Sequence, residues 1–488
     1  MNQDIRNLAP KSVWNHFADL NAVPRPSKKE ERVIQFMVDF GKNLNLDTIV
    51  DKVGNVIIKK PATSGMENRK KIVIQGHLDM VHQKNADTIF DFDTQGIEMF
   101  VDGDWVKAKG TTLGADNGLG VAAIMAVLSS TNIAHPAIEA LFTIDEETGM
   151  TGAMGLESGI LEGEILLNLD TEEDDEIGIG CAGGIDITAT QNYQEEKTAE
   201  NTIAYSISVT GLQGGHSGMD IIKGLGNANK IMNRLLFNGF EKYGLRIASL
   251  HGGSLRNAIP RESFATIIID KTSKDSFTTE NHQLISNIKN EFKSLEPNLT
   301  IEINKVETPK TVIPVAMQEQ LTKAIYATLN GVYRMSPDVE NLVETSNNIA
   351  KITVEKEQIE VLCLTRSSSE SNKIDLTNSI RAAFELAGFS VDCSGEYPGW
   401  LPNLDSSILK TVVHSYKTLF NEAPNVAACH AGLECGILGK NYPKMEMISF
   451  GPNIKGAHSP DERAQISSTQ KFWKLLLHIL ENIPKTSF

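Results

Sequence analysis

Residues 72–79 read Ile-Val-Ile-Gln-Gly-His-Leu-Asp, an apolar run of strand length that ends in an imidazole and a carboxylate. The pattern recurs along the chain. Ile138 to Ile144 leads into Asp145-Glu146-Glu147, Ile165-Leu166-Leu167 into Asn168-Leu169-Asp170, and Met445 to Phe450 into a loop, 451–460, that contains His458. Strands that are apolar throughout, rather than alternating, imply a sheet covered on both faces. Gly118 to Leu128 is an Ala-rich apolar helix following the turn Gly114-Ala115-Asp116-Asn117-Gly118. Glu30 to Asn43 places Val33, Phe36, Met37 and Phe40 at amphipathic helix spacing. Strands alternating with helices predict an α/β domain, whose ligands gather beyond the carboxyl ends of the strands. The acids and imidazoles lie at those ends.

The middle of the chain has another texture. It is polar, with a charge-rich stretch at Gln194 to Asn201, alternating runs at Ile203 to Val209 and Phe264 to Ile269, and a helical run at Ala228 to Phe237. A strand, helix and strand order recurs at Gln358 to Leu364, Leu376 to Ala387 and Phe389 to Cys393, a hint of internal duplication. The expected organisation is a catalytic α/β domain, 1–186 and 399–488, with a covered mixed sheet, interrupted by an inserted α+β lid domain, 187–398. The chain returns through Glu396-Tyr397-Pro398-Gly399-Trp400, which lets His458 rejoin the N-terminal groups.

With 488 residues and 41% hydrophobic content, the chain can bury more than one core. The 46 Lys+Arg against 62 Asp+Glu give a net charge of -16, which argues against a nucleic-acid partner and against an anionic membrane surface. The N-terminal stretch resembles neither a secretory signal nor a transit peptide, and no apolar run has the length of a membrane span. Five cysteines without a CxxC pair fit a reducing compartment, so a cytoplasmic location is expected.

Taken alone, each polar cluster has a plain alternative: a surface histidine at His77, an Asp-Asn turn at Asp116, a solvated acidic loop at Asp145-Glu146-Glu147, an ordinary loop histidine at His458. Residues two apart on a strand face the same way, so Asp79 can orient the His77 ring. Glycines around Asp116 let a carboxylate press into a crowded site and bridge two cations. Asp170 adds another acid at the same edge, whereas Glu172 to Glu176 reads as a solvated loop. Together, His77 and His458 with Asp116, Glu147 and Asp170 make an N/O donor set suited to two divalent ions, most simply Zn2+, with Mn2+ or Co2+ as alternatives. Glu146 then remains to act as a base.

The ordered motifs HLDM (77–80), TTLGADNGLG (111–120), TIDEETGMTGA (143–153), NLD (168–170), GGHSG (214–218), RNAIPR (256–261) and GAHSPDE (456–462) resemble the di-zinc metallopeptidase family of aminoacylases and dipeptidases. Within it the order of motifs is most similar to the bacterial cytosolic Xaa-His (beta-alanyl-histidine, aminoacyl-histidine) dipeptidases. The resemblance runs through essentially the whole chain. It implies that His77 and Asp170 bind one ion, Glu147 and His458 the other, and that Asp116 bridges them, with a cis peptide to Asn117 often found there. It makes Glu146 the general base and Asp79 the support of His77. His216 of the lid would polarise the scissile carbonyl, with Asn257 and Arg366 holding the substrate's terminal carboxylate. Arg256, Arg261 and Arg381 are alternatives for that last role, and His216 has the alternative of a structural histidine. The implied activity is metal-dependent hydrolysis of dipeptides with free termini, of broad Xaa-His type. A tripeptide aminopeptidase or an N-acyl-amino-acid amidohydrolase would use the same centre. Asp rather than Glu at 170 argues against a carboxypeptidase. A homodimer through lid edges is compatible with the family, although a lid of this length favours His216 serving its own chain.

Overall fold

The Ile72–His77 strand, buried along its length, lies inside an eight-stranded sheet. From one edge to the other the strands are Asp47–Val50, Val56–Lys60, Ile138–Thr143, Ile72–His77, Ile165–Asn168, Glu446–Ser449, Glu176–Cys181 and Asn425–Cys429. In this computed structural model, which describes residues 2–486, the four central strands run parallel and their neighbours Val56–Lys60 and Glu176–Cys181 run antiparallel to them. The fold is therefore mixed α/β, as expected from the apolar runs. Register pairs His77 with Thr143, Gln75 with Asn168 and Ser449 with Asn168. The carboxyl ends of the central strands are thus level, and the segments that follow them leave the sheet on one side.

The helix Ala115–Ser129 packs on Ile72–His77 and against the helix Lys11–Leu20. It is buried on nearly every face, which its Ala, Val and Leu content permits. Its first turn is irregular: Asp116 and Asn117 leave helical geometry and the peptide between them is cis. Gly76 allows this close approach, since a side chain there would collide with Asn117 Oδ1. The helix Ser407–Phe420 packs on Glu446–Ser449, and Glu31–Asn43 packs on the edge strands.

A four-stranded sheet, which the sequence reading did not anticipate, combines Met99–Asp102 and Trp105–Ala108 with Ile454–Lys455 and Arg463–Gln465. The last two strands pair with each other, so His458 lies in the loop of a hairpin anchored to Trp105–Ala108.

The chain forms two compact units: one runs to Gly180, includes Pro402–Ala428 and resumes at Leu433, and the other is Cys181–Leu401 with Cys429–Gly432. In the second, nine strands share one sheet. Its main order is Thr300–Val306, Thr202–Thr210, Ser263–Asp270, Arg246–Gly252, Val343–Glu355, Gln358–Ser367, Gly183–Asn192 and Ser390–Tyr397, with Gly331–Met335 beside Val343–Glu355. The two halves of this order mirror each other about the pairing of Arg246–Gly252 with Val343–Glu355. Each half runs strand, helix, two strands, helix and strand, the helices being Ala228–Tyr243 and Lys274–Phe292 in one and Val315–Ala327 and Glu370–Leu386 in the other. The recurrence seen in the sequence is half of this repeated arrangement. Ile207, Leu235, Ile267, Ile352 and Phe384 belong to its common core.

Candidate active site

Each central strand delivers one part of a cluster. His77 ends its strand fully buried, with Nε2 3.2 Å from Asp116 Oδ1 and 3.5 Å from Asp170 Oδ1. His458 Nε2 lies 3.3 Å from Asp116 Oδ2 and 3.0 Å from Glu147 Oε2. The two oxygens of Asp116 thus face different imidazoles. Three ligand groups result, in each of which the donor atoms lie within 4.8 Å of one another: His77, Asp116 and Asp170; Asp116, Glu147 and His458; and His77, Glu146 and Glu147.

Asp79 braces both sides of the cluster. Its carboxylate accepts the Ser27 hydroxyl at 2.7 Å and the backbone N–H groups of Glu146 and Glu147 at 3.0 and 3.2 Å. His77 Nδ1 lies 3.4 Å from Asp79 Oδ1 but 3.1 Å from the Asp79 carbonyl oxygen. The backbone carbonyl therefore shares the task of fixing the ring, which the sequence reading gave to the carboxylate alone. Burial would raise Asp79, yet the bonds from His77, Ser27 and Glu146 hold it at about 2.

The field of the site is strongly anionic. Bonds to Asp116 and Glu147 push His458 up to about 11, and Asp170 and Asp116 raise His77 well above its ordinary value although burial opposes them. Asp116 is held far below its usual range: its burial is outweighed by the bonds from His458 and His77. Burial, beyond what His77 offsets, and repulsion from Asp116 and Glu147 lift Asp170 to about 6. Burial likewise raises Glu146 well above normal, with Asp170, Glu434 and Glu147 adding to it against His77. So many carboxylates are mutually compatible only if cations or protons balance them. Glu147 Oε1 and Asp170 Oδ1 are buried with no hydrogen-bond donor. Buried carboxylate oxygens without donors, beside two imidazole nitrogens, are what a pair of divalent ions would occupy.

Four further residues of this unit escaped the sequence reading. Arg25 and Glu462, both buried, bind the backbone around Asp116. Glu434 is buried beneath the site, accepting from Gln75 Nε2 at 2.6 Å and Thr143 Oγ1 at 2.7 Å, and burial lifts it to about 7. Glu172 is not a solvated loop acid: burial, with Asp116 and Asp170 nearby, lifts it to about 8. Two more residues of that run are tied down, Asp174 by Lys471 at 2.8 Å and Glu173 by Lys455, while Asp175 is exposed.

His216, Asn257 and Arg366 belong to the second unit. The pairing of Gly215-His216 with Ala258-Ile259 sets His216 beside the Asn257 segment, whose carbonyl accepts the Ser217 N–H at 2.7 Å. His216 Nδ1 accepts the N–H groups of Gly218 and Met219 at 3.2 and 3.1 Å. The ring's own proton then sits on Nε2, and burial with nearby Arg366 lowers its pKa, so it is a neutral donor. Among the arginines, Arg256 is spent on the carbonyls of Ile187 and Cys363 and on Thr188, Arg261 on the Leu212 carbonyl, and Arg381 on Glu385. Arg366 is 5% exposed, its Nη1 donates to the Tyr397 hydroxyl at 2.6 Å, and its Nε has no acceptor. Of these four candidates it is the buried one, with a donor to spare.

Residues 73–482 match the profile of Peptidase family M20/M25/M40. The chain belongs to this family. It is 43% identical over 483 residues, 99% of each chain, to the cytosol non-specific dipeptidase of Escherichia coli (strain K12). The M20 fold is equally plain in three dimensions: the chain is similar to the aminoacylhistidine dipeptidase of Vibrio alginolyticus, with a TM-score of 0.95, 44% identity and 99% of each chain covered. The aminopeptidase PepT of Bacillus cereus shares the M20 fold at a TM-score of 0.57 with 14% identity, 98% of this chain and 99% of that one being covered. Among the described residues, no helix is long and apolar enough to cross a membrane.

Proposed function

We propose that the chain is a cytoplasmic metallo-dipeptidase that hydrolyses dipeptides with free termini, with Xaa-His substrates among them. The observation that carries the metal centre is the division of Asp116, Oδ1 toward His77 and Oδ2 toward His458. His77 and Asp170 would hold one divalent ion, Glu147 and His458 the other, with Asp116 between them; the N/O donors suit zinc, and manganese or cobalt would also fit. Such ions, when bound, supply a water acidified toward neutrality and a positive pull on the carbonyl oxygen.

The chain's own groups do the rest. Glu146 takes the proton of the attacking water and returns it to the leaving amine. His216, neutral with hydrogen on Nε2, donates to the carbonyl oxygen as negative charge develops there. Arg366 and Asn257 bind the terminal carboxylate, so peptide length is measured from that anchor and a dipeptide is favoured. The inserted unit acts as a lid in this reading, and its residues 187–398 carry all three of these groups.

The test is a panel of Xaa-His, Xaa-Gly, N-acetylated and tripeptide substrates, presented to protein stripped by chelator and resupplied with zinc or manganese. Cleavage of unblocked dipeptides only after metal is restored supports the reading. Equal cleavage of N-acetylated substrates would turn it toward an amidohydrolase, and preference for tripeptides toward an aminopeptidase.

A further inference from the structure

Glu462 ends the GAHSPDE motif, and neither the ligand set nor the proposed chemistry uses it. It is 2% exposed, and its Oε2 accepts the N–H groups of Leu113 and Gly114 at 2.7 and 2.9 Å. Its Oε1 accepts those of Ala115 and Asp116 at 2.7 and 3.3 Å. Four consecutive backbone donors thus converge on one carboxylate, which holds the turn that presents Asp116. Arg25, 1% exposed, works on the acceptor side of the same turn. Its Nη2 donates to the Gly114 carbonyl at 2.6 Å and to Asn21 Oδ1 at 2.9 Å, while Nη1 donates to the carbonyls of Leu78 and Asp79 at 3.1 and 3.2 Å. Gly114, at φ 68°, leaves room for the guanidinium, and a side chain at Gly114 or Gly118 would strike Arg25 Nη2.

We infer that Arg25 and Glu462 form a buried clasp that positions Asp116 between His77 and His458, and so sets the affinity of the chain for its divalent ions. The inference rests on the proposed ligand roles. Arg25 joins the segment after His77 to the Asp116 turn; Glu462 joins that turn to the hairpin carrying His458, since Arg463–Gln465 begins at the next residue. Three ligand-bearing segments, distant in sequence, are held in one frame before any ion arrives. Neither residue touches the ligand atoms, so both are positioning residues. Groups that orient ligands commonly change metal affinity about 10- to 100-fold when removed.

The decisive variant is Glu462→Gln, which keeps the size but turns one acceptor into an NH2 group facing two backbone donors. Zinc affinity by competition with a chromophoric chelator, and the visible absorption of the cobalt-loaded protein, are compared with the unmodified chain. Affinity should fall about 10- to 100-fold and the cobalt bands should shift, while near-ultraviolet circular dichroism of the stripped protein stays the same. Arg25→Lys keeps the charge but cannot span Gly114 and Leu78 together, and should behave alike. Affinities within twofold and an unchanged cobalt spectrum in a folded variant would overturn the inference. Should both variants fail to fold, hydrogen exchange on the stripped, unmodified chain decides. The amides of 113–116 should stay protected without metal, and exchange as fast as an open loop would overturn the clasp. If the unmodified chain binds no divalent ion at all, the ligand assignment fails instead.

Discussion

Asp79 Oδ1 accepts the backbone N–H of Glu146 at 3.0 Å, so the acid beside a proposed metal-binding histidine also fixes the residue proposed as base. Replacing Asp79 by Asn leaves one acceptor oxygen where Ser27, Glu146 and Glu147 need two. Turnover should drop about 10- to 100-fold with a parallel loss of metal affinity. Steady-state kinetics and chelator competition on Asp79→Asn check this; normal values for both would show that the Asp79 carbonyl alone suffices.

Tyr397 carries a second expectation. Its hydroxyl is the one side-chain acceptor of Arg366 among the described residues, and its backbone carbonyl is held by buried Lys373 Nζ at 2.8 Å. A hydrogen bond to a charged group contributes about 1.5 to 3 kcal/mol. Tyr397→Phe should therefore raise KM about tenfold for a free dipeptide with kcat nearly unchanged, because uniform binding is lost. The same substrate with an amidated C-terminus should show no such rise; an equal rise for both would separate Tyr397 from carboxylate recognition.

His430 sits 5% exposed in the second unit, its Nε2 2.7 Å from Ser346 Oγ and its Nδ1 without a partner. Burial, then repulsion by Arg366 and His216, lowers its pKa to about 3. An unfolded histidine takes up its proton near pH 6.5, so between the two values the unfolded chain binds more protons and stability rises with pH. Acidification from pH 7 to 4.5 should remove about 2 to 3 kcal/mol through this group. Urea unfolding at both pH values should show His430→Gln losing less stability on acidification than the unmodified chain. Identical losses would mean that His430 does not stay neutral in the fold.

The sheet was legible because it is written locally, and so was the gathering of His77, Asp116, Glu147, Asp170 and His458, the proposed ligands, at one end of it. Apolar runs such as Ile72–Ile74 and Ile165–Leu167 suit buried strands, which they form here, and the polar residue types that follow them stand at their carboxyl ends. Arg25 and Glu462 were not legible. Arg25 sits in a Pro-Arg-Pro loop, and Glu462 meets amides nearly 350 positions away, a partnership with no local periodicity. Glu172 was misread for a related reason: an acidic run looks solvated until the fold sets it beside Asp116 and Asp170. The arginine choice was open in sequence because the four candidates look alike; only their hydrogen bonds separate Arg366 from Arg256, Arg261 and Arg381.

The central claim is that Glu146 moves the proton while His77, Asp116, Glu147, Asp170 and His458 hold the ions. Glu146 is also grouped with His77 and Glu147 within ligand distance, so the two roles must be told apart. The direct measurement is metal content and turnover of Glu146→Gln purified beside the unmodified chain. Two bound ions per chain with turnover reduced about 10²- to 10⁴-fold is the expected result. Loss of an ion together with activity would contradict it and make Glu146 a ligand.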